Sequence, residues 1–167
     1  MRGKAVHKYC CDATALIDIA QHFEDGVKKL DKAAKGGSLV VPIAVFKEIQ
    51  KKSDHLKTAV ERWSTTKYQA VIRIDSTGEF KREYARIERT YGPDFMVGSK
   101  LQGGFWKSKA GQTAADAQVV AIAKVLKLIA VSKDQAVNNA CLLENIECIG
   151  WQQLWRRITG LGGLFEE

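Results

Sequence analysis

The chain has 167 residues, of which 46% are hydrophobic, which suits one domain with a real core and argues against global disorder. Lys and Arg number 26 against 19 Asp and Glu, a net charge of +7, and a basic chain of this kind attracts polyanions. No apolar run approaches the roughly 18 residues that a membrane span needs, so no membrane association is expected. Residues 1–8 carry charge without an apolar stretch, so no secretory signal is expected either. Cys10, Cys11, Cys141 and Cys148 lack both the density of a disulfide scaffold and a CxxC zinc spacing. They read as reduced, buried thiols, and the expected location is the cytoplasm.

In chain order, residues 8–11 form a short apolar strand, and residues 13–22 a helix that Asp12 can cap. Residues 25–35 follow as a helix with Val27, Leu30 and Ala34 on one face, ended by Gly36 and Gly37. Residues 38–41 are a strand. Pro42 then opens a helix holding Phe46, Glu48 and Ile49, since proline suits a first turn. Ser53 and Asp54 begin a helix through Trp63, and residues 69–74 make a third strand. Residues 80–91 form a charged amphipathic helix. Residues 92–112 show no clear period and many glycines, and read as a long loop insertion. Residues 113–127 are an alanine-rich helix, 128–132 an apolar strand, 134–143 a helix, 146–149 a short strand and 151–158 a terminal helix. Residues 160–167 read as a frayed tail. Helices between short apolar strands imply crossovers and a parallel sheet, with no linker dividing residues 1–167 into two domains.

Four acids share a setting. Asp12 and Asp134 end apolar strands, while Glu48 and Asp116 lie in the first or second turn of helices that follow a loop and a strand. Each alone has an ordinary explanation, since Asp12, Asp116 and Asp134 suit helix caps and Glu48 sits among Lys47, Lys51 and Lys52. Together, in a parallel sheet, all four fall along one edge. Like charges so placed repel unless a cation sits among them, and oxygen donors without histidine or thiolate suit Mg²⁺ or Mn²⁺. His7, His22 and His55 show no metal spacing, which argues against zinc.

The order of these motifs resembles the PIN-domain ribonucleases, including the VapC toxins of toxin–antitoxin pairs. The resemblance covers about residues 8–155. It is carried by Asp12-Ala13-Thr14, by the run from Pro42 to Ile49 around Glu48, by the run from Ala115 to Ala123 around Asp116, and by Val131-Ser132-Lys133-Asp134. It implies a PIN-like three-layer α/β/α fold with a parallel sheet of about five strands and the first strand central. It implies hydrolysis of RNA phosphodiesters leaving a 5′ phosphate, with Asp12, Glu48, Asp116 and Asp134 holding Mg²⁺ or Mn²⁺. Thr14 corresponds to the hydroxyl beside the first acid and Ser132 to the one before the last. Residues 92–112 are longer than the pattern requires. Asn138 or Asn139 could supply the further polar group found a turn after the last acid.

The implied partners are RNA, an antitoxin protein and a second copy of the chain. Lys100, Phe105, Trp106, Lys107 and Lys109 interleave cations and aromatics, which suits single-stranded RNA as well as a loop packed on the body. Ser132 joins these as a candidate RNA contact. Trp151 and Trp155, four apart, suit core packing better than ligand stacking. The competing functions are a metal-dependent hydrolase of small phosphate esters, against which position 14 carries Thr where a second Asp is wanted, and a non-catalytic module binding RNA or a partner.

Overall fold

The computed structural model describes residues 8–52, 54–92, 95–102 and 115–160. Three buried residues, Tyr9–Cys11, form β1, and helix α1 (Ala13–His22) follows directly. α2 (Gly26–Lys35) leads to β2 (Leu39–Pro42), which is buried throughout. α3 (Ile43–Lys52) and α4 (Asp54–Trp63) separate it from β3 (Val71–Ile72). A 3₁₀ turn at Ile74–Ser76 precedes α5 (Gly78–Tyr91), capped by the Thr77 side chain. A hairpin, β4 (Phe95–Val97) and β5 (Lys100–Gln102), follows. The chain closes with α6 (Ala115–Leu126), β6 (Ile129–Val131), α7 (Gln135–Leu143), β7 (Cys148–Ile149) and α8 (Trp151–Thr159).

The main sheet is all parallel, in the order β3-β2-β1-β6-β7, so β1 is central. Helices α1, α2, α4 and α8 pack on one another along one face, while α5, α6 and α7 pack on the other, giving three layers. The chain steps from β1 outward to β3, returns to β6 and steps outward again to β7. The connections after β1 and β6 therefore diverge to opposite faces, and the crevice at their carboxyl ends is the place where open α/β sheets gather ligands. The strands hold consecutive buried apolar residues because both faces are covered. Among the described residues no helix is long and apolar enough to cross a membrane, and all four cysteines are free thiols.

Several boundaries depart from the pattern reading. Pro42 ends β2, paired with Ile72, and does not open α3. β3 spans only two residues, because Gln69 takes a left-handed φ of 51° before it and the 3₁₀ turn starts soon after it. Part of the long loop expected over residues 92–112 is the antiparallel hairpin, in which Phe95 pairs with Gln102 and Val97 with Lys100. The rest of that loop, and the tail expected beyond residue 160, lie outside the described residues. One glycine is required by close approach. At Gly26 a Cβ would stand 2.4 Å from the carbonyl oxygen of Ile19, so only glycine lets α2 start this near α1. At the far end of α1, Phe23 stacks on Trp155 at 3.9 Å and meets Trp151 edge-on, so both tryptophans serve packing.

Candidate active site

Asp12 leaves β1 in extended geometry and caps α1, accepting the Ala15 N–H through Oδ1 at 2.8 Å. β1 and β6 run in register, Cys11 opposite Val131, so the next residues, Asp12 and Ser132, meet across the crevice. The Ser132 hydroxyl donates to Asp12 Oδ2 and accepts the Asp134 N–H at 3.1 Å. A single hydroxyl thus ties the carboxyl ends of both central strands together. Asp12 is only 6% exposed. Burial raises its pKa first; the Ser132 and Ala15 bonds pull it down, and the charges of Asp134 and Glu48 push it up.

Asp134 is exposed and caps α7, accepting from Ala136 N–H at 2.8 Å and Val137 N–H at 3.3 Å. The two asparagines separate here. Asn138 donates to the Asp134 carbonyl at 2.8 Å and to the Ser132 carbonyl at 3.4 Å, so it braces the turn that carries both residues. Asn139 accepts from Gln135 at the surface. Lys133 points away from the crevice pair and bonds Asp18 of α1 at 2.8 Å, a second tie between α1 and this turn.

Asp116 lies in the first turn of α6, and among the described residues it has no hydrogen-bond partner. Its pKa is raised to about 6, chiefly by burial and then by the charges of Asp134, Asp12 and Glu48. A helix N-terminus on its own would lower it. Burial accounts for most of the rise, and the smaller contributions of Asp134, Asp12 and Glu48 show that all three lie near enough for their charges to act on it. Glu48, in the second turn of α3, is held at 2.6 Å by Lys52. As they stand, no three Asp, Glu, His or Cys side chains among the described residues are grouped tightly enough to hold a metal ion. Asp12 and Asp134 are turned to helix N–H groups, and Glu48 to Lys52. The donor set itself, four carboxylates repelling one another in a half-buried crevice, fits a hard divalent cation.

Gln118 was not foreseen as part of this site. Its Oε1 accepts the Ala44 N–H at 3.1 Å, so a side chain of α6 caps the first turn of α3. The bond joins the helix of Asp116 to the helix of Glu48. Two signals in the sequence bear on it: Pro42 and Ile43 supply α3 with no capping side chain, and Gln118 is a lone polar residue in an apolar stretch, only 3% exposed.

Thr14 sits exposed in the first turn of α1, two residues after Asp12. Ser132, expected among the RNA contacts, is instead 1% exposed, with its hydroxyl spent between Asp12 and Asp134; it positions the acids and does not reach solvent. Lys100 is exposed on β5, and among the described residues no bond or ion pair links it to the acids. Phe105, Trp106, Lys107 and Lys109 lie outside the described residues.

The sequence profile of one family runs along residues 9–159, from the start of β1 to the end of α8. The chain belongs to that family, the Domain of unknown function DUF4411. The DUF4411 match takes in all four acids, Ser132 and Gln118. No curated protein matches the chain. Among solved structures it is similar to the crystal structure of PAE2754 from Pyrobaculum aerophilum, with 16% identity and a TM-score of 0.49, over 92% of this chain and 98% of that one.

Proposed function

We propose that the protein is a divalent-metal-dependent endoribonuclease of the PIN-domain kind. The supporting observation is the convergence of Asp12, Glu48, Asp116 and Asp134 on the crevice between β1 and β6, with Asp116 feeling the charge of the other three. Asp12, Asp116 and Asp134 would hold Mg²⁺ or Mn²⁺, joined by Glu48 on release from Lys52. Such an ion, when bound, activates water and neutralises charge developing on a phosphodiester. The chain's own contribution is orientation. Ser132 and the Ala15 N–H fix both oxygens of Asp12, Gln118 holds α3 against α6, and Asn138 braces the turn before Asp134. The exposed Thr14 hydroxyl is free to bond a water or a phosphate oxygen. The net charge of +7 draws RNA to the acidic crevice. By the same resemblance, the protein acts as a VapC-like toxin in the cytoplasm, as a homodimer restrained by an antitoxin.

The test is cleavage of mixed RNA by purified protein with Mg²⁺, with Mn²⁺ and with chelator. Cleavage is expected with either ion and none in chelator, and Asp116→Asn should lower it by about 100-fold or more while RNA binding persists. Cleavage that continues in chelator would overturn the proposal. A second reading has an observation of its own: Asp12 and Asp134 already cap helices, and Glu48 already has Lys52. A non-catalytic RNA- or partner-binding module would keep the acids for that purpose, and its stability would not respond to Mg²⁺.

A further inference from the structure

At the opposite edge of the sheet, away from the acids, a cavity of about 310 Å³ is lined by Lys8, Tyr9, Lys29, Lys32, Ser38 and Arg157 together with parts of Ala33 and Ile158. Lys8 precedes β1 and Ser38 precedes β2, so the cavity opens at the amino ends of the two strands. Four residues of extended chain, roughly 13 Å, separate Lys8 from Asp12, so one small ligand cannot occupy both sites.

The charge in this cavity is unbalanced. Arg157 donates to Glu147 at 3.3 Å through one nitrogen, which leaves most of its five N–H donors open to a ligand. Among the described residues Lys8, Lys29 and Lys32 have no acidic partner. Cations at a helix carboxyl end often serve only to offset its dipole, and Lys32 and Lys35 stand in the last turn of α2. That account does not reach Lys29, in the middle of α2, or Lys8, which lies before a strand. Lys35, the other last-turn lysine, does not line the cavity. The Ser38 hydroxyl proton is directed to the Ala33 carbonyl at 3.1 Å, so the ligand-facing donors are the three ammonium groups and the guanidinium.

We propose that this cavity binds a phosphate group, carried by a ligand about the size of a mononucleotide or by the end of an RNA strand. Three ammonium groups and a guanidinium fork match a phosphate dianion better than they match a carboxylate, which offers fewer oxygens and a single charge. The volume lies at the lower end of the roughly 300–1,000 Å³ range of small-ligand sites. The buried Tyr9 ring supplies an apolar wall beside the cations.

The test is calorimetric titration of the full chain, in chelator and at 0.15 M salt, so that neither a metal at the acids nor the general field supports binding. The probes are inorganic phosphate, AMP, adenosine and a short RNA with either a 5′ phosphate or a 5′ hydroxyl. Saturable binding is expected for probes bearing a terminal phosphate, and adenosine should be silent. AMP tighter than phosphorylated RNA assigns a small ligand; the reverse assigns an RNA end; either supports the site. The double variant Lys29→Gln/Lys32→Gln should weaken the best probe tenfold or more, and Lys29→Arg/Lys32→Arg should restore it. Lys35→Gln removes the same charge outside the cavity and should leave binding within twofold. Silence of every phosphate probe, unchanged binding in the double Gln variant, or equal weakening by Lys35→Gln overturns the proposal. The Asp116→Asn protein should bind as the wild type does, so the outcome is separate from that of the nuclease proposal.

Discussion

Two acidic centres in this molecule, one buried and one half-buried, respond to burial in opposite ways. Around Glu144, at the carboxyl end of α7, Arg86 of α5 donates to both carboxylate oxygens at 2.9 and 2.7 Å, and the Tyr91 hydroxyl donates at 2.7 Å. Lys124 of α6 adds a bond to the Glu144 carbonyl at 2.7 Å. The Arg86 guanidinium and these donors outweigh desolvation and hold the Glu144 carboxyl down at about 2. At the other end of α6, Asp116 has no cationic partner among the described residues, and burial first, then the charges of Asp134, Asp12 and Glu48, raise its carboxyl to about 6. The first centre is complete within the chain and joins three helices. The second has no such counter-charge among the described residues, and it is the centre on which the proposed function rests.

The largest effect is expected at Glu144. Glu144→Gln should destabilise by about 2–3 kcal/mol in urea denaturation, below the usual cost of breaking a buried pair because Arg86 keeps solvent access. The folded pKa of Glu144 is depressed, so its contribution is fully present above pH 4.5 and is lost as pH falls toward about 2. The gap between wild type and variant should therefore narrow over that window. A gap that widens on acidification would show that Glu144 is not held as an anion.

Gln118→Leu comes next, with an expected loss of about 1–2 kcal/mol as the Ala44 N–H loses its acceptor. Because that bond joins α3 to α6, Mg²⁺ should also stabilise the variant less than the wild type in thermal melts. An unchanged melting temperature would mean that water replaces the amide without cost.

Asp116→Asn carries the smaller effect and the more informative sign. In chelator at pH 7 it should raise stability by about 1 kcal/mol, a discounted value for a part-exposed group among partly screened charges. The folded pKa of Asp116 is raised, so wild-type stability from this group is present below pH 3.8 and is lost as pH rises through about 6. The variant's advantage should accordingly vanish near pH 4. Added Mg²⁺ should stabilise wild type more than variant by mass action. A variant less stable than wild type in chelator, with the same Mg²⁺ response, would reduce Asp116 to a helix cap.

Much of this was legible in the chain because it is local. An apolar run ending in Asp12, with helical spacing after it, specifies strand, cap and helix through contacts within a few residues; Asp134 repeats the device. The succession of such units specifies a parallel sheet, since each helix must bury its apolar face on the strands beside it. Boundaries failed where tertiary pairing overruled local preference. Pro42, fit for a first helical turn, is taken up by pairing with Ile72. The segment after Gly92 looked aperiodic because three-residue strands are too short to show a period.

What the sequence by itself determined is which residues are acidic, where each falls relative to its strand or helix, and hence that the four acids line one edge. Only the tertiary structure decided how they are held. Register between β1 and β6 turns Ser132 from a surface candidate into the link between Asp12 and Asp134, and a bond across 74 positions makes Gln118 the clamp between α3 and α6. It also gathers Lys8, Lys29, Lys32 and Arg157, scattered along the chain, into one cavity. Local patterns report the free energy of a few neighbouring residues, whereas hydrogen-bond partners and charge neighbours are set by the packing of segments whose separation in sequence carries no trace of their distance in space.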